Sequence, residues 1–406
     1  MNNKYIRRIV VSSLFSLVTL VVSYIVANIP YPVFEQMNLF AWVEYFLESS
    51  VFNQKDDYHD VLFVNTAFDK GLADYYNPNA DELLGTGDIT DRKKLLDFLN
   101  RVDTIGGYRC ILIDIMFHEN FKTEYDSALF AKIGSMDKVI FARSKEYPMA
   151  DSSLIEKSGL SDYHSTIIST NFSRYQFLQD GGTSLALKIH ESLGGKSIVR
   201  HMGGLWYTMD NSLCYNTHFL TKFDSFENQA IGNEGKTRWD NLGKDIFQYW
   251  DDCVLKNAIL DKYVILGDII EDRHDTYMGK TAGPVVCYKA IKVLESKNNL
   301  VNWWLVICSF LFCTFAFYYL IWGTQITVKM QQFLEHKKIQ YGTKNQKNLL
   351  RFSLFMRFVI SFISIGTILS IISAILYAFW GIGLNVFIPT SAFSIVSIYR
   401  KFLIKK

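Results

Sequence analysis

The feature that most constrains this chain is a set of charge-free apolar runs near its two ends, with a polar segment between them. Ile9 to Ile29 is 21 residues without a charge, rich in Val, Leu and Ile. About 20 such residues in a helix cross the hydrocarbon core of a bilayer. Lys4, Arg7 and Arg8 precede the run, and its exit, Ala27-Asn28-Ile29-Pro30-Tyr31-Pro32, has no small-x-small cleavage site. It therefore reads as a signal anchor, with a cleaved signal peptide as the alternative. Three further charge-free runs follow: Leu300 to Val328, Phe358 to Phe379 and Ile382 to Tyr399. Trp303, Trp304, Trp322 and Trp380 lie near their ends, where amphipathic rings favour the membrane interface. A buried hairpin of a soluble protein is the competing reading, and three such runs with tryptophan flanks argue against it. Pro389 is expected to kink the last span.

Charge is divided just as unevenly. Between Pro30 and Val301 lie 39 of the 40 acidic and 28 of the 42 basic residues, a net −11; the rest carries +13 and only Glu335 as an acid. The basic residues set the orientation. Lys4, Arg7 and Arg8, the loop residues Lys329, Lys337, Lys338, Lys344, Lys347 and Arg351, and the tail residues Arg400, Lys401, Lys405 and Lys406 all fall on one side if the chain crosses four times. The expected layout is a cytoplasmic N-terminus (1–8), a transmembrane anchor (9–29), an extracytoplasmic domain (30–301), a second span (302–324), a basic cytoplasmic loop (325–352), third and fourth spans (353–379 and 382–399) and a basic cytoplasmic tail (400–406). The turn Gly381-Ile382-Gly383 is expected outside. An acidic outer domain excludes nucleic acid as its partner, since the phosphate backbone needs a basic face.

Within 30–301, β-branched runs alternate with helical patterns. Asp60–Asn65 reads as a buried strand and Asp91–Val102 as a helix with Leu95, Leu96, Leu99 and Val102 at helical spacing. Arg109–Ile115 reads as a second strand, Asp126–Ile133 as a helix and Lys138–Ala142 as a third strand; Lys262–Gly267 is another, and Val285–Leu294 a helix leading to the membrane. That order calls for an α/β domain with a mainly parallel sheet covered by helices, beside an all-α membrane part of four transmembrane helices.

The residues resemble a known family, the type 2 CHASE domain, an extracytoplasmic sensory domain of bacterial receptors. The resemblance rests on Val61-Leu62-Phe63-Val64-Asn65-Thr66-Ala67-Phe68-Asp69, on Ile113-Asp114-Ile115-Met116-Phe117, and on Asp126-Ser127-Ala128-Leu129 followed by Val139-Ile140-Phe141. Its last element is Tyr263–Gly267, then Asp275-Thr276 and Gly283-Pro284-Val285-Val286. One helix before the domain and three after it also fit. The middle, 145–245, matches poorly, and Cys287-Tyr288-Lys289-Ala290 departs from the small-residue and histidine pattern of the last helix. The resemblance implies a sensor in the bacterial inner (cytoplasmic) membrane. Members often carry a cyclase, kinase or phosphodiesterase after the last span; here the sequence ends at Lys406, so the expectation is a sensor that acts on a separate effector.

In open α/β sheets ligands favour the carboxyl ends of strands. Those ends carry Asp69, Asp114 with His118 and Glu119, and the run Asp268-Ile269-Ile270-Glu271-Asp272-Arg273-His274-Asp275. Asp69, Asp114, His118, Glu119, Asp268, Asp272, His274 and Asp275 are thus the candidate ligand-binding residues, able to take a cation or basic ligand if they converge. The other reading is that these carboxylates cap loops and helices. No zinc spacing occurs, Gly194-Gly195-Lys196-Ser197 lacks the rest of a phosphate loop, and nothing marks a nucleophile elbow. No metal, cofactor or enzymatic activity is expected on these grounds.

Gly181-Gly182 and Gly203-Gly204 read as turns. Cys110 and Cys287 read as buried apolar residues, and a Cys214–Cys253 bridge stays open. Ser361, Ser364, Gly366, Thr367, Ser370 and Ser373 form a small-residue face suited to helix packing. The expected partners are the lipid bilayer, an extracytoplasmic ligand, a cytoplasmic effector protein and further copies of the chain in a homo-oligomer. A membrane-anchored envelope enzyme and a structural subunit of a membrane complex are the rival readings.

Overall fold

The computed structural model describes residues 3–29, 58–77, 82–162, 174–219, 239–276, 279–322, 359, 362–363, 365–375 and 386–404. The chain forms two compact units, Phe52–Leu300 and Met1–Val51 with Val301–Lys406.

In the first unit the elements run β1 (Val61–Asn65), β2 (Lys70–Asn77), β3 (Glu82–Thr90), α1 (Arg92–Ile105), β4 (Cys110–Asp114), β5 (Phe121–Lys122), α2 (Asp126–Ser135), β6 (Val139–Arg143) and β7 (Ser158–Leu160). After α3 (Leu185–Ser192) come β8 (Trp239–Asn241), α4 (Asp252–Ile259), β9 (Tyr263–Gly267), β10 (Arg273–Thr276), β11 (Gly279–Ala282) and α5 (Gly283–Glu295). Six strands form one parallel sheet in the order β8-β1-β9-β4-β6-β7. Alternation demanded such a sheet, because each parallel crossover lays a helix on one of its faces.

Successive residues of a strand point to opposite faces. Phe63, Leu112 and Ile265 enter a core closed by α3 and α5 through Leu187, Ile189, Val285 and Ile291. Val64, Ile113 and Leu266 enter a second core, closed by α1, α2 and α4 through Leu95, Leu99, Leu129 and Leu255. The central strands are buried on both faces, which explains their unbroken apolar sequence. Helix α1 starts where the Asp91 carboxylate accepts the Lys94 backbone N–H at 3.1 Å, satisfying one of its orphan donors.

Several features depart from the sequence reading. Between β1 and α1 the chain makes an antiparallel hairpin, β2–β3, with β5 alongside. A six-residue π-helix, Leu242–Phe247, follows β8. All six cysteines are free: Cys214 is buried and Cys253 exposed, so the Cys214–Cys253 bridge does not form. Gly181, Gly182, Gly203 and Gly204 have positive φ, as turn residues do.

The second unit is helical: Asn3–Ala27, Trp303–Trp322, Ile365–Ile375 and Phe387–Ile404. Two of these, Tyr5–Ala27 and Trp303–Trp322, are long and apolar enough to cross a membrane. They pack together, with Ser16 Oγ donating to the Phe310 carbonyl at 3.0 Å and Phe15 against Phe317 at 5.6 Å between centroids. Phe317 also meets Phe393 at 4.5 Å. The last helix continues past the expected end at Tyr399 to Ile404. Pro389 falls in its first turn, where a missing N–H costs nothing, so it opens the helix rather than kinking it. On the small-residue face Ser373 is buried, while Thr367 is exposed and bonds its own helix at Ile363. The loop 325–352, the turn Gly381-Ile382-Gly383 and much of the third span lie outside the described residues.

Candidate functional site

Register aligns four residues at the carboxyl ends of neighbouring strands: Asn241, Asn65, Gly267 and Asp114 on β8, β1, β9 and β4. Strands β1 and β4 lead to α1 and α2 on one face, whereas β9 leads to α5 on the other. The chain therefore diverges at β9, which is the kind of switch point where open α/β sheets take ligands. Asn65 is fully buried and organises the row. Its Oδ1 accepts from the backbone N–H of Ala67 (3.2 Å) and Ile269 (3.1 Å), and its Nδ2 donates to Asn241 Oδ1 at 2.9 Å.

On one side of the switch point Asp114, Asp272 and His274 come together. Burial, with the neighbouring Asp272 adding to it, pushes the Asp114 carboxyl up to about 8. Asp272 is raised as well, by burial, although His274 opposes the shift. His274 Nε2 stands 3.4 Å from Asp272 Oδ1, and burial lowers its pKa against the pull of Asp272 and Asp275. The start of α5 closes over this group: the Gly283 N–H donates to the Asp272 carbonyl at 2.9 Å, and a Cβ on Gly283 would overlap the Asp272 carboxylate. Cys287, one turn into α5, has its thiol pushed up by burial and by Asp114. Asp114 thus keeps its proton near neutrality, beside a second carboxyl whose pKa is also raised and an imidazole whose pKa is lowered, an arrangement suited to proton exchange. Among the described residues no three His, Cys, Asp or Glu side chains converge to hold a metal ion.

The other candidates lie apart from this group. Asp268 Oδ1 accepts from the Ile270 and Glu271 backbones at 3.0 and 2.7 Å, and its Oδ2 meets Lys70 Nζ at 3.1 Å, so it caps its own loop. Asp275 is exposed on β10, opposite Lys280. His118 packs edge-on against Tyr147 at 4.9 Å, its pKa lowered by burial and by Arg92, and the Glu119 N–H bonds the Pro148 carbonyl at 3.2 Å. Asp69 is buried on the far side of β1, where it accepts from Lys94 Nζ at 2.7 Å and the Gly243 N–H at 3.0 Å.

Beside Asp69 opens a cleft of about 480 Å³, within the range usual for small-ligand sites. Its lining comes from α1, with Lys94 and Asp97, from the π-helix, with Lys244 and Phe247, and from Phe68. Apart from Asp69, sequence reasoning missed this lining. Trp239-Asp240-Asn241 is too short a strand to leave a pattern, and a π-helix has no sequence signature comparable to a helix cap. The usable signal was Asn65 and Asp69 straddling the turn after a buried strand. No protein-family model, no curated protein and no solved structure matches the chain.

Proposed function

We propose that the chain is a bacterial membrane-bound sensor of the kind its sequence resembles. Its α/β domain lies outside the cytoplasm and detects an extracytoplasmic ligand or protein, and four transmembrane helices carry the signal to a separate cytoplasmic effector. The observation that carries this reading is the path of the chain after β9. The loop Asp268–Asp272 and the hairpin β10–β11 lead straight into α5, whose start rests on Asp272. The far end of α5 is tied to the amino ends of the strands: Lys292 Nζ meets Asp60 and Glu295, each at 2.8 Å, and the Tyr288 hydroxyl bonds Asp60. Eight residues after Glu295 the chain enters the apolar helix Trp303–Trp322. One pinned helix thus links the switch point to the segment of chain that leads into that apolar helix. The acidic domain between basic margins supports the orientation.

Cysteine labelling in intact cells tests the topology: a probe at Asn77 is reached and one at Asn345 is not, and the reverse pattern sinks the reading. A photo-crosslinking residue at Ile339 tests the output, with capture of one defined cytoplasmic protein expected. That capture disappears when Lys337, Lys338, Lys344 and Lys347 become Gln, while insertion is retained. The Asp114–Asp272–His274 group favours one second reading, an envelope enzyme using the pair for proton transfer; turnover of an envelope substrate abolished by Asp114→Asn would support it.

A further inference from the structure

The cleft beside Asp69 has charges of both signs and apolar rings, and its charges divide into two sets. Asp69 and Lys94 satisfy one another at 2.7 Å, and the Gly243 N–H completes the Asp69 carboxylate, so this pair forms a closed floor. Asp97 on α1 and Lys244 on the π-helix are exposed, and neither has a hydrogen-bond or ion-pair partner among the described residues. They line the same cleft from two different elements. Phe68, 70% exposed, and Phe247, 36% exposed, supply the apolar surface. A ligand that covers such rings removes apolar surface from water, which favours binding. Lys244 and Phe247 lie on the π-helix, a rare conformation that is frequent at functional sites.

We propose that this cleft binds a small zwitterion with an apolar body, an α-amino acid in its free form. The ammonium group meets Asp97, the carboxylate meets Lys244, and the side chain packs between Phe68 and Phe247. The two charges balance, so a ligand carrying one charge leaves one of them without a partner. The inference deepens the sensor reading and rests on it for the ligand's role in signalling, but the binding itself is tested separately.

Calorimetric titration of the full-length protein in nanodiscs uses L-phenylalanine and L-leucine, against phenethylamine and 3-phenylpropanoate, which retain one charge each. At least one amino acid binds, and L-phenylalanine exceeds each single-charge analogue by about tenfold, the equivalent of one charge-assisted contact. D97N brings L-phenylalanine down to the level of 3-phenylpropanoate and leaves that analogue unchanged; K244Q does the same with respect to phenethylamine. Both variants keep the wild-type melting temperature, because neither side chain has a partner to lose. Absence of heat with both amino acids, equal binding of an analogue, or binding indifferent to D97N and K244Q overturns the proposal. Failure of the sensor reading shows differently, as amino-acid binding without a crosslinked cytoplasmic protein.

Discussion

Gly243 donates its backbone N–H to the Asp69 carboxylate at 3.0 Å, and any Cβ there would overlap that carboxylate and stand 3.2 Å from Lys94 Nζ, so a side chain must displace the pair. Gly243→Ala is therefore expected to separate Asp69 from both donors and to cost about 1–3 kcal/mol. Thermal melting of the protein in nanodiscs measures it. An unchanged melting point would mean that the π-helix shifts without losing the pair.

Asn65→Ala removes three hydrogen bonds at once and leaves the Ala67 and Ile269 N–H groups and Asn241 Oδ1 without their partner. Each buried group left unsatisfied costs about 1–3 kcal/mol, so a total near 2–4 kcal/mol is expected even with partial relaxation. Denaturant unfolding followed by tryptophan fluorescence reads the loss, and a change under 1 kcal/mol would show that water replaces the amide.

How far the site was legible follows from these residues. β1, β4, β6 and β9 could be read because burial on two faces leaves continuous apolar runs. The hairpin β2–β3 could not, since its faces are largely exposed and it carries Lys70, Asp74, Glu82 and Asp88 instead of a clean alternation. Asp114 and Asp272 were legible as strand-end and loop acids. Their meeting was not, because it depends on β9 inserting beside β4, a pairing that no local pattern encodes. Asp268 looked the same in sequence and serves its own loop.

The raised carboxyls give a pH dependence of definite sign. Asp114 holds its proton in the folded protein up to about 8 and releases it near 4 when unfolded, so its stabilising effect is complete below that lower value and is lost as pH rises through the upper one. Asp272 acts in the same direction. His274, whose folded pKa is lowered, acts oppositely, and only as pH falls below about 6.5. Between pH 6.5 and 8 the approach to release of the Asp114 proton is expected to lower stability by up to about 2 kcal/mol. Melting temperatures across that window should fall for the wild type and flatten for Asp114→Asn; a rising wild-type curve would refute the assignment.

Arg92 is 3% exposed, lies over the Phe117 ring at 4.3 Å, and reaches Asp126 only at 3.7 Å; its Nε and Nη1 have no hydrogen-bond partner. Burial lowers its pKa to about 10. Asp126 is already served by the Thr123 N–H at 2.9 Å and hydroxyl at 2.8 Å. Exchanging such an ion pair for apolar volume is often neutral or favourable. Arg92→Met is expected within about 1 kcal/mol of wild type, whereas Arg92→Ala, which leaves a cavity, costs about 2–4 kcal/mol. Equal losses in the two variants, read by denaturant unfolding, would show that the charge itself is stabilising.

The strand order also governs how this domain is made. β9 lies between β1 and β4, yet it is synthesised long after both: the bonded pair Asn65 and Ile269 are 204 residues apart. As the polypeptide emerges, β4 can pair with β6 soon after both are made, but the edges of β1 and β4 that face one another across the sheet stay open until Tyr263–Gly267 arrives. Contacts this distant along the chain form slowly and leave aggregation-prone surface exposed in the interval. The domain therefore closes from its centre and at the end of its synthesis. A chain interrupted anywhere before Tyr263 has lost the middle of its sheet rather than a margin, and a cell producing it must shield that gap while the ribosome works.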